Sequence, residues 1–294
     1  MTFSERMFTT NDILLADGAM GTELQKRGLE SGACPELLNI SHPEIVRSVH
    51  RDYILAGADV IETNTFGANR ARLRLHDSEH LVREIVLAAT ENIRSCSSHV
   101  YIAGSMGPLG DLIEPLGLMT SHEAYDIFAE QAAAFNEAKV DVIFIETMMA
   151  PEEILIAVKA VKENTDLPVA ALMTFENGQA GYRTMWGTSV SDAAFLLAEA
   201  GADIIGSNCG KGFDEMAGVV AEFVTASAKP LIAMANAGIP VWEEGKSIYK
   251  ETPEMISGDV RKIIEAKVRI IGGCCGTNPE HIREMRKILN LYTK

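Results

Sequence analysis

Four segments of the chain repeat one pattern: "LAGADVIETNT" (55–65), "EAKVDVIFIET" (137–147), "EAGADIIGSNC" (199–209) and "EAKVRIIGGCC" (265–275). Each reads as a helix end, a short turn and a short apolar strand. With Asp59, Asp141, Asp203 and Arg269 as equivalent starts, the fifth and sixth residues beyond are Asn64/Thr65, Glu146/Thr147, Asn208/Cys209 and Cys274/Cys275. The polar, chemically able side chains therefore fall at one register, the C-terminal end of each strand. Few folds accommodate a chain built from such units.

Four further strands fit between these. "DILLADG" ends near Asp17 and "HVYIAGSMG" near Ser105, while "LPVAALMTF" and "KPLIAMANA" enter through a proline and reach Thr174 and Asn236. Strand ends then fall near 17, 63, 105, 146, 174, 208, 236 and 274, at least 28 residues apart, which leaves room for a loop, a helix and the next strand. The strands are near-continuous apolar runs, as expected of a parallel sheet buried on both faces. Thr120 and Glu123 form a capping box before a helix over 120–138. Asn278 is positioned as an N-cap, with Pro279 at the first helical residue. Eight βα units predict an α/β TIM (β/α)8 barrel, a single domain over residues 1–294. The rival is a doubly wound open sheet. Against it, "DGAMGTELQKRG" after the first strand lacks the spacing of a dinucleotide-binding fingerprint. In a barrel, chemistry belongs at the C-terminal face, where these polar residues gather.

Hydrophobic residues make up 47% of the chain, enough for a large core, and the net charge of −15 argues against binding a nucleic-acid backbone. The N-terminus has no apolar core of a signal peptide, and no apolar run is long enough to span a membrane. A cytoplasmic location is expected. Five cysteines, an odd number, then read as reduced thiols rather than a disulfide framework.

The vicinal pair Cys274-Cys275 stands in "IIGGCCGTNPEHI". Adjacent residues on a regular strand point to opposite faces, so the two share a target only if the strand ends there; Gly272, Gly273 and Gly276 supply that freedom. Cys209 has the matching register on strand six, and one strand separates six from eight. Three thiols can converge at the barrel mouth and offer Zn2+ three soft ligands with one open position. Three thiolates make zinc a poor Lewis acid and suit it to holding a further thiolate, so alkyl transfer to sulfur is the expected chemistry. The pair also reads as a redox switch or as two small buried residues. Cys34 and Cys96 match no pattern and read as structural.

The segments "LLADGAMGTELQKRG", "IETNTFGANRARL", "GSMGPLG", "FIETM", "GSNCGKG" and "GGCCGTNPEHI", in order from 14 to 282, resemble the homocysteine S-methyltransferase family. The resemblance implies a barrel whose zinc is held by Cys209, Cys274 and Cys275, with homocysteine sulfur in the open position as methyl acceptor. It implies Asn236 as an oxygen ligand when substrate is absent. It implies Asp17 and Glu146 as the acids that grip the substrate ammonium. The Gly18-Ala19 turn offers backbone amides to the substrate carboxylate, and Ser105 a hydroxyl. Glu62, Thr63 and Asn64 also reach the mouth, in supporting roles.

The stretch "GPLGDLIEPLGLMT" resembles the homocysteine module of cobalamin-dependent methionine synthases more than the S-methylmethionine branch. The corrinoid-binding Asp-x-His-x-x-Gly pattern is absent. The expected donor is therefore a methylcorrinoid (methylcobalamin) carried on a separate partner protein, with S-methylmethionine or S-adenosylmethionine as alternatives. Two other classes stand beside this reading: a Schiff-base lyase using Lys211, and a thiol-redox sensor built on Cys274-Cys275.

Overall fold

The computed structural model describes residues 1–243 and 246–292. Eight parallel strands form one sheet: β1 (Leu14–Leu15), β2 (Val60–Glu62), β3 (Tyr101–Met106), β4 (Val142–Met148), β5 (Val169–Met173), β6 (Ile204–Cys209), β7 (Leu231–Ala235) and β8 (Ile270–Gly273). β8 pairs with β1 through Leu14↔Ile270, and a single bridge, Ala16↔Val60, closes the ring between β1 and β2. The sheet is therefore a barrel and not the open rival. Each strand ends within two residues of the position expected from sequence. Eight helices follow the strands in turn: α1 (Pro43–Ala56), α2 (Val82–Arg94), α3 (Ser121–Ala138), α4 (Pro151–Asn164), α5 (Val190–Glu199), α6 (Phe213–Ala226), α7 (Pro253–Glu265) and α8 (Pro279–Leu289). Both anticipated caps are present, the Thr120–Glu123 box on α3 and Asn278 on α8. Among the described residues no helix is long and apolar enough to cross a membrane.

The repeated aspartates have a backbone task at the N-terminal end of the barrel. Asp59 Oδ2 accepts from Leu15 N at 2.9 Å, Asp141 Oδ2 from Ile102 N at 2.8 Å and Asp203 Oδ2 from Val169 N at 2.9 Å. The amide of each aspartate donates back to the carbonyl of that same residue. Each even-numbered strand from β2 to β6 thus latches onto the strand before it and satisfies an amide at the start of the ladder. Arg269 holds the fourth equivalent place, its amide donating to Leu231 O at 2.7 Å and its guanidinium to Asp12 O at 3.0 Å.

Side chains alternate across each strand. Val60, Ala103, Phe144, Leu172, Ile204, Ile232 and Ile270 fill the barrel interior together with Phe3 and Met7. Those two come from the helix Phe3–Thr9, which plugs the N-terminal end; Phe3 meets Tyr101 edge to face at 5.6 Å. Two or four residues further along the same inward rows stand Glu62, Ser105, Glu146, Asn208, Asn236 and Cys274. The alternation that packs the core therefore delivers polar groups to the opposite mouth. Phe3 is only 1% exposed. Phe3→Ala should cost about 3–5 kcal/mol, read from the denaturant midpoint at unchanged slope.

Candidate functional site

Cys209 is the last residue of β6, and Cys274 and Cys275 follow β8 directly. The three sulfurs lie within 4.8 Å of one another, with Cys209 Sγ and Cys274 Sγ 3.1 Å apart. β7 stitches the two ends together: Asn236 N donates to Cys209 O at 3.3 Å, Cys274 N to Ala235 O at 2.7 Å and Ala237 N to Cys275 O at 3.0 Å. Cys209 adopts φ 62°. This left-handed turn breaks the strand alternation and re-aims a side chain that would otherwise point away from the mouth. Thr147, at the same place in the repeat, turns the same way with φ 59°.

The thiols share out one charge. Hydrogen bonds from the Cys209 and Cys274 thiols, helped by the Tyr249 hydroxyl, bring Cys275 down to about 3. Donation to Cys209 and Cys275, together with burial, pushes Cys274 far above the ordinary thiol range. Cys209 receives a hydrogen bond from Cys274, but its own donation to Cys275 and its burial push it up. On its own the cluster is thus one thiolate served by two thiols, and a nearby cation is needed to ionise the rest. Zinc–sulfur bonds of about 2.3 Å in a tetrahedron put sulfurs about 3.8 Å apart, so this donor set fits a zinc ion with one position open. Asn236 stands at the end of β7, between the two cysteine strands. Its Nδ2 donates to Gly210 O at 2.7 Å, while its buried Oδ1 has no partner among the described residues.

The same cavity, about 390 Å3, is lined by Asp17, Glu62 and Glu146 as well as by the three cysteines. Asp17 accepts from Glu62 N at 3.2 Å. Glu146 Oε1 accepts from Ser105 Oγ at 2.5 Å and Oε2 from Asn208 Nδ2 at 3.0 Å. Asn208 Nδ2 also lies 3.7 Å from Cys274 Sγ, which ties the acid cluster to the sulfurs. Burial raises all three carboxyls above their ordinary values. The neighbouring acids add to this for Asp17 and Glu62. Three enclosed acids with no counter-charge among the described residues make a receptor for a cation such as an ammonium.

Two expectations from sequence need correction. The Ala19 amide is not free, because it donates to Thr277 Oγ1 at 3.2 Å. Thr277 is wedged between the first and last βα turns, so that a Cβ at Gly18 or Gly273 would come within 2.6 Å or 2.2 Å of its hydroxyl. The amides left over belong to the helix Met20–Lys26, which starts without a side-chain cap and whose first residues line the cavity. Ser105 gives its hydroxyl to Glu146, so it serves an acid directly. Thr63 Oγ1 accepts from Ser105 N at 3.1 Å, and Asn64 Nδ2 donates to Pro35 O at 2.7 Å.

Sequence reasoning gave no role to Asn208, Thr277 or Tyr249. Asn208 carried a signal, since it occupies the inward repeat position matching Glu146 and Cys274. Tyr249 carried none, because it lies beyond a hairpin that no repeat predicts. Lys211 lies outside the cavity; its ammonium pairs with Glu176 at 3.1 Å, which holds it protonated. Cys34 donates to Glu36 at 3.1 Å, and burial pushes it to about 12. Cys96 donates to Asn92 O at 3.2 Å. These fit the structural roles expected of them.

A carboxyl whose value is raised by folding contributes stability that is present at low pH and lost as pH rises through the raised value. Glu62→Gln should therefore raise the melting temperature at pH 8 by about 2–4 °C and change it less at pH 5. Melting curves at the two pH values check this.

The sequence profile of the homocysteine S-methyltransferase family matches residues 14–289. The methionine synthases of Mycobacterium tuberculosis and Mycobacterium leprae are each 31% identical over 93% of this chain, which spans only 24% of either relative. Among solved structures, the metallated form of the Escherichia coli homocysteine methyltransferase MmuM superposes with a TM-score of 0.80 at 21% identity, covering 97% of this chain and 99% of the other. A methyltransferase from Methanosarcina mazei gives 0.64 at 13%, covering 99% and 97%. These structures share the barrel. With the profile match across nearly its full length, the chain belongs to the homocysteine S-methyltransferase family.

Proposed function

We propose that residues 1–294 form one homocysteine-binding zinc barrel that moves a methyl group to the homocysteine thiol, giving methionine. One observation carries this reading: a three-sulfur cluster and a three-acid cluster line the same cavity and are joined by Asn208. Homocysteine has the matching ends, a thiol and an ammonium.

Cys209, Cys274 and Cys275 would hold the zinc, with the unpartnered Oδ1 of Asn236 filling its fourth position until substrate arrives. When bound, the ion replaces the proton of the incoming thiol and keeps that sulfur a nucleophilic thiolate at neutral pH. The remaining work falls to the chain. Asp17, Glu62 and Glu146 bind the ammonium, and its positive charge offsets the cost of ionising acids whose values burial has raised. Ser105 and Asn208 each fix one oxygen of Glu146. Gly18 and the uncapped helix start behind it face the substrate carboxylate, while the amide of Ala19 is held by Thr277. Held at both ends, the substrate presents its sulfur in one direction, and that orientation supplies much of the acceleration.

The donor approaches over the mouth. Exposed Leu112, Leu116, Trp186, Ile239 and Trp242 stand on the loops after β3, β5 and β7, and a second cavity of about 450 Å3 meets the first at Thr147. This apolar rim, with the likeness to methionine synthases, supports a methylcorrinoid as the donor. Such a donor would supply the methyl group to the substrate sulfur and would keep the electron pair of the bond that breaks.

Purified protein should convert homocysteine and methylcobalamin to methionine. Cys275→Ser should lose zinc and at least 100-fold in activity together, as expected when a metal ligand is removed. Turnover with S-methylmethionine or S-adenosylmethionine instead would overturn the donor assignment, and full zinc with full activity in Cys275→Ser would overturn the site.

A further inference from the structure

The pairing of β1 with β8 runs as far as Leu15 and Ile271, and Gly273 N still reaches Asp17 O at 2.9 Å. Beyond that point both chains turn away, and side-chain hydroxyls take over from the ladder. Thr277 Oγ1 donates to Cys274 O at 2.7 Å and accepts from Ala19 N at 3.2 Å. Tyr53, on α1, donates its hydroxyl proton to Ala19 O at 2.9 Å and lies 3.3 Å from Thr277 O. Ala19 is therefore held at its amide by Thr277 and at its carbonyl by Tyr53. Both side chains belong to fully buried residues, so no water stands ready to replace them. They also close on Gly18 together: a Cβ there would lie 2.6 Å from Thr277 Oγ1 and 3.0 Å from Tyr53 Oη.

Each of the two turns carries one end of the cavity. Asp17, one of the enclosed acids, immediately precedes Gly18 and Ala19. Cys274, one of the sulfurs, opens the turn that Thr277 closes by donating its own amide to Cys274 O at 3.1 Å. One hydroxyl thus joins, through two hydrogen bonds, the turn at the acid end and the turn at the sulfur end. A substrate that bridges both ends has a fixed length, and the distance between the turns is part of what it meets.

We propose that Thr277 is a positioning residue that sets the span between the turn at the amino-acid end of the substrate and the turn that carries Cys274, with Tyr53 holding the first turn from its other side. The inference rests on the homocysteine reading above. Without the Thr277 hydroxyl the Ala19 amide loses its partner, and the first turn is free to drift against the second. Such drift weakens a thiol that engages both ends and leaves untouched a thiol that engages the sulfur cluster alone. A threonine that merely supported the fold would serve both kinds of ligand alike.

The test uses the full chain loaded with cobalt(II), as wild type, Thr277→Val, Thr277→Ser and Tyr53→Phe. Metal per chain is measured by mass spectrometry, and melting curves check the fold. Homocysteine and mercaptoethanol, a thiol with neither ammonium nor carboxylate, are each titrated against the sulfur-to-cobalt charge-transfer band. Thr277→Val is expected to keep its metal, to bind homocysteine about tenfold more weakly and to bind mercaptoethanol as wild type does. Thr277→Ser keeps the hydroxyl and restores homocysteine binding. Tyr53→Phe, which frees only the carbonyl side of Ala19, shows the same selective loss in smaller degree, and it decides the matter alone if Thr277→Val does not fold. Equal losses for the two thiols, or no loss for either, would overturn the role of Thr277 and leave the site standing. Wild type that takes up no cobalt, or that answers mercaptoethanol and not homocysteine, would overturn the homocysteine reading as well.

Discussion

The backbone of Ala235, Asn236 and Ala237 is bonded on one side to Cys209 and on the other to Cys274 and Cys275, and the site depends on that seam. Cysteines 65 residues apart in sequence become neighbours because β6 and β8 flank one strand. The same three residues place the Asn236 side chain between them and, through Ala237, pin the segment that carries Tyr249. A shift of β7 by one residue would turn its inward row outward and separate the ligands.

The two ends of the barrel are built for different ends. At the N-terminal end, aspartates satisfy strand amides and a helix plug fills the interior with Phe3 and Met7. At the C-terminal mouth, interactions unfavourable to the fold are concentrated: three enclosed acids, two thiols forced to stay protonated, and left-handed turns at Thr147 and Cys209, each costing about 1–3 kcal/mol. A closed barrel tolerates this because its stability comes from elsewhere in the molecule. The strain and the unpaired charge are what a cationic substrate group and a metal would relieve.

Much of this was legible in the sequence because the repeat has a physical cause. Asp59, Asp141 and Asp203 recur because each latches a neighbouring strand, and the polar residues five positions on recur because alternation returns them to the mouth. The three sulfurs and the acids Asp17 and Glu146 follow from that register. What the sequence concealed lies between elements. That Ala19 spends its amide on Thr277 depends on how closely the first and last turns approach. That Ser105 serves Glu146 depends on the stagger of β3 against β4. Tyr249 follows a hairpin and precedes a segment held by distant partners, Ala237 and His281.

The central claim is that these cysteines hold an ion whose last position is kept for a substrate sulfur. X-ray absorption at the zinc edge, recorded on purified protein with and without homocysteine, tests it most directly. The account predicts three sulfurs and one light atom around zinc in the free protein, and four sulfurs when homocysteine is bound. Zinc surrounded by an unchanged shell on adding homocysteine, or no zinc bound to the cysteines at all, would contradict it.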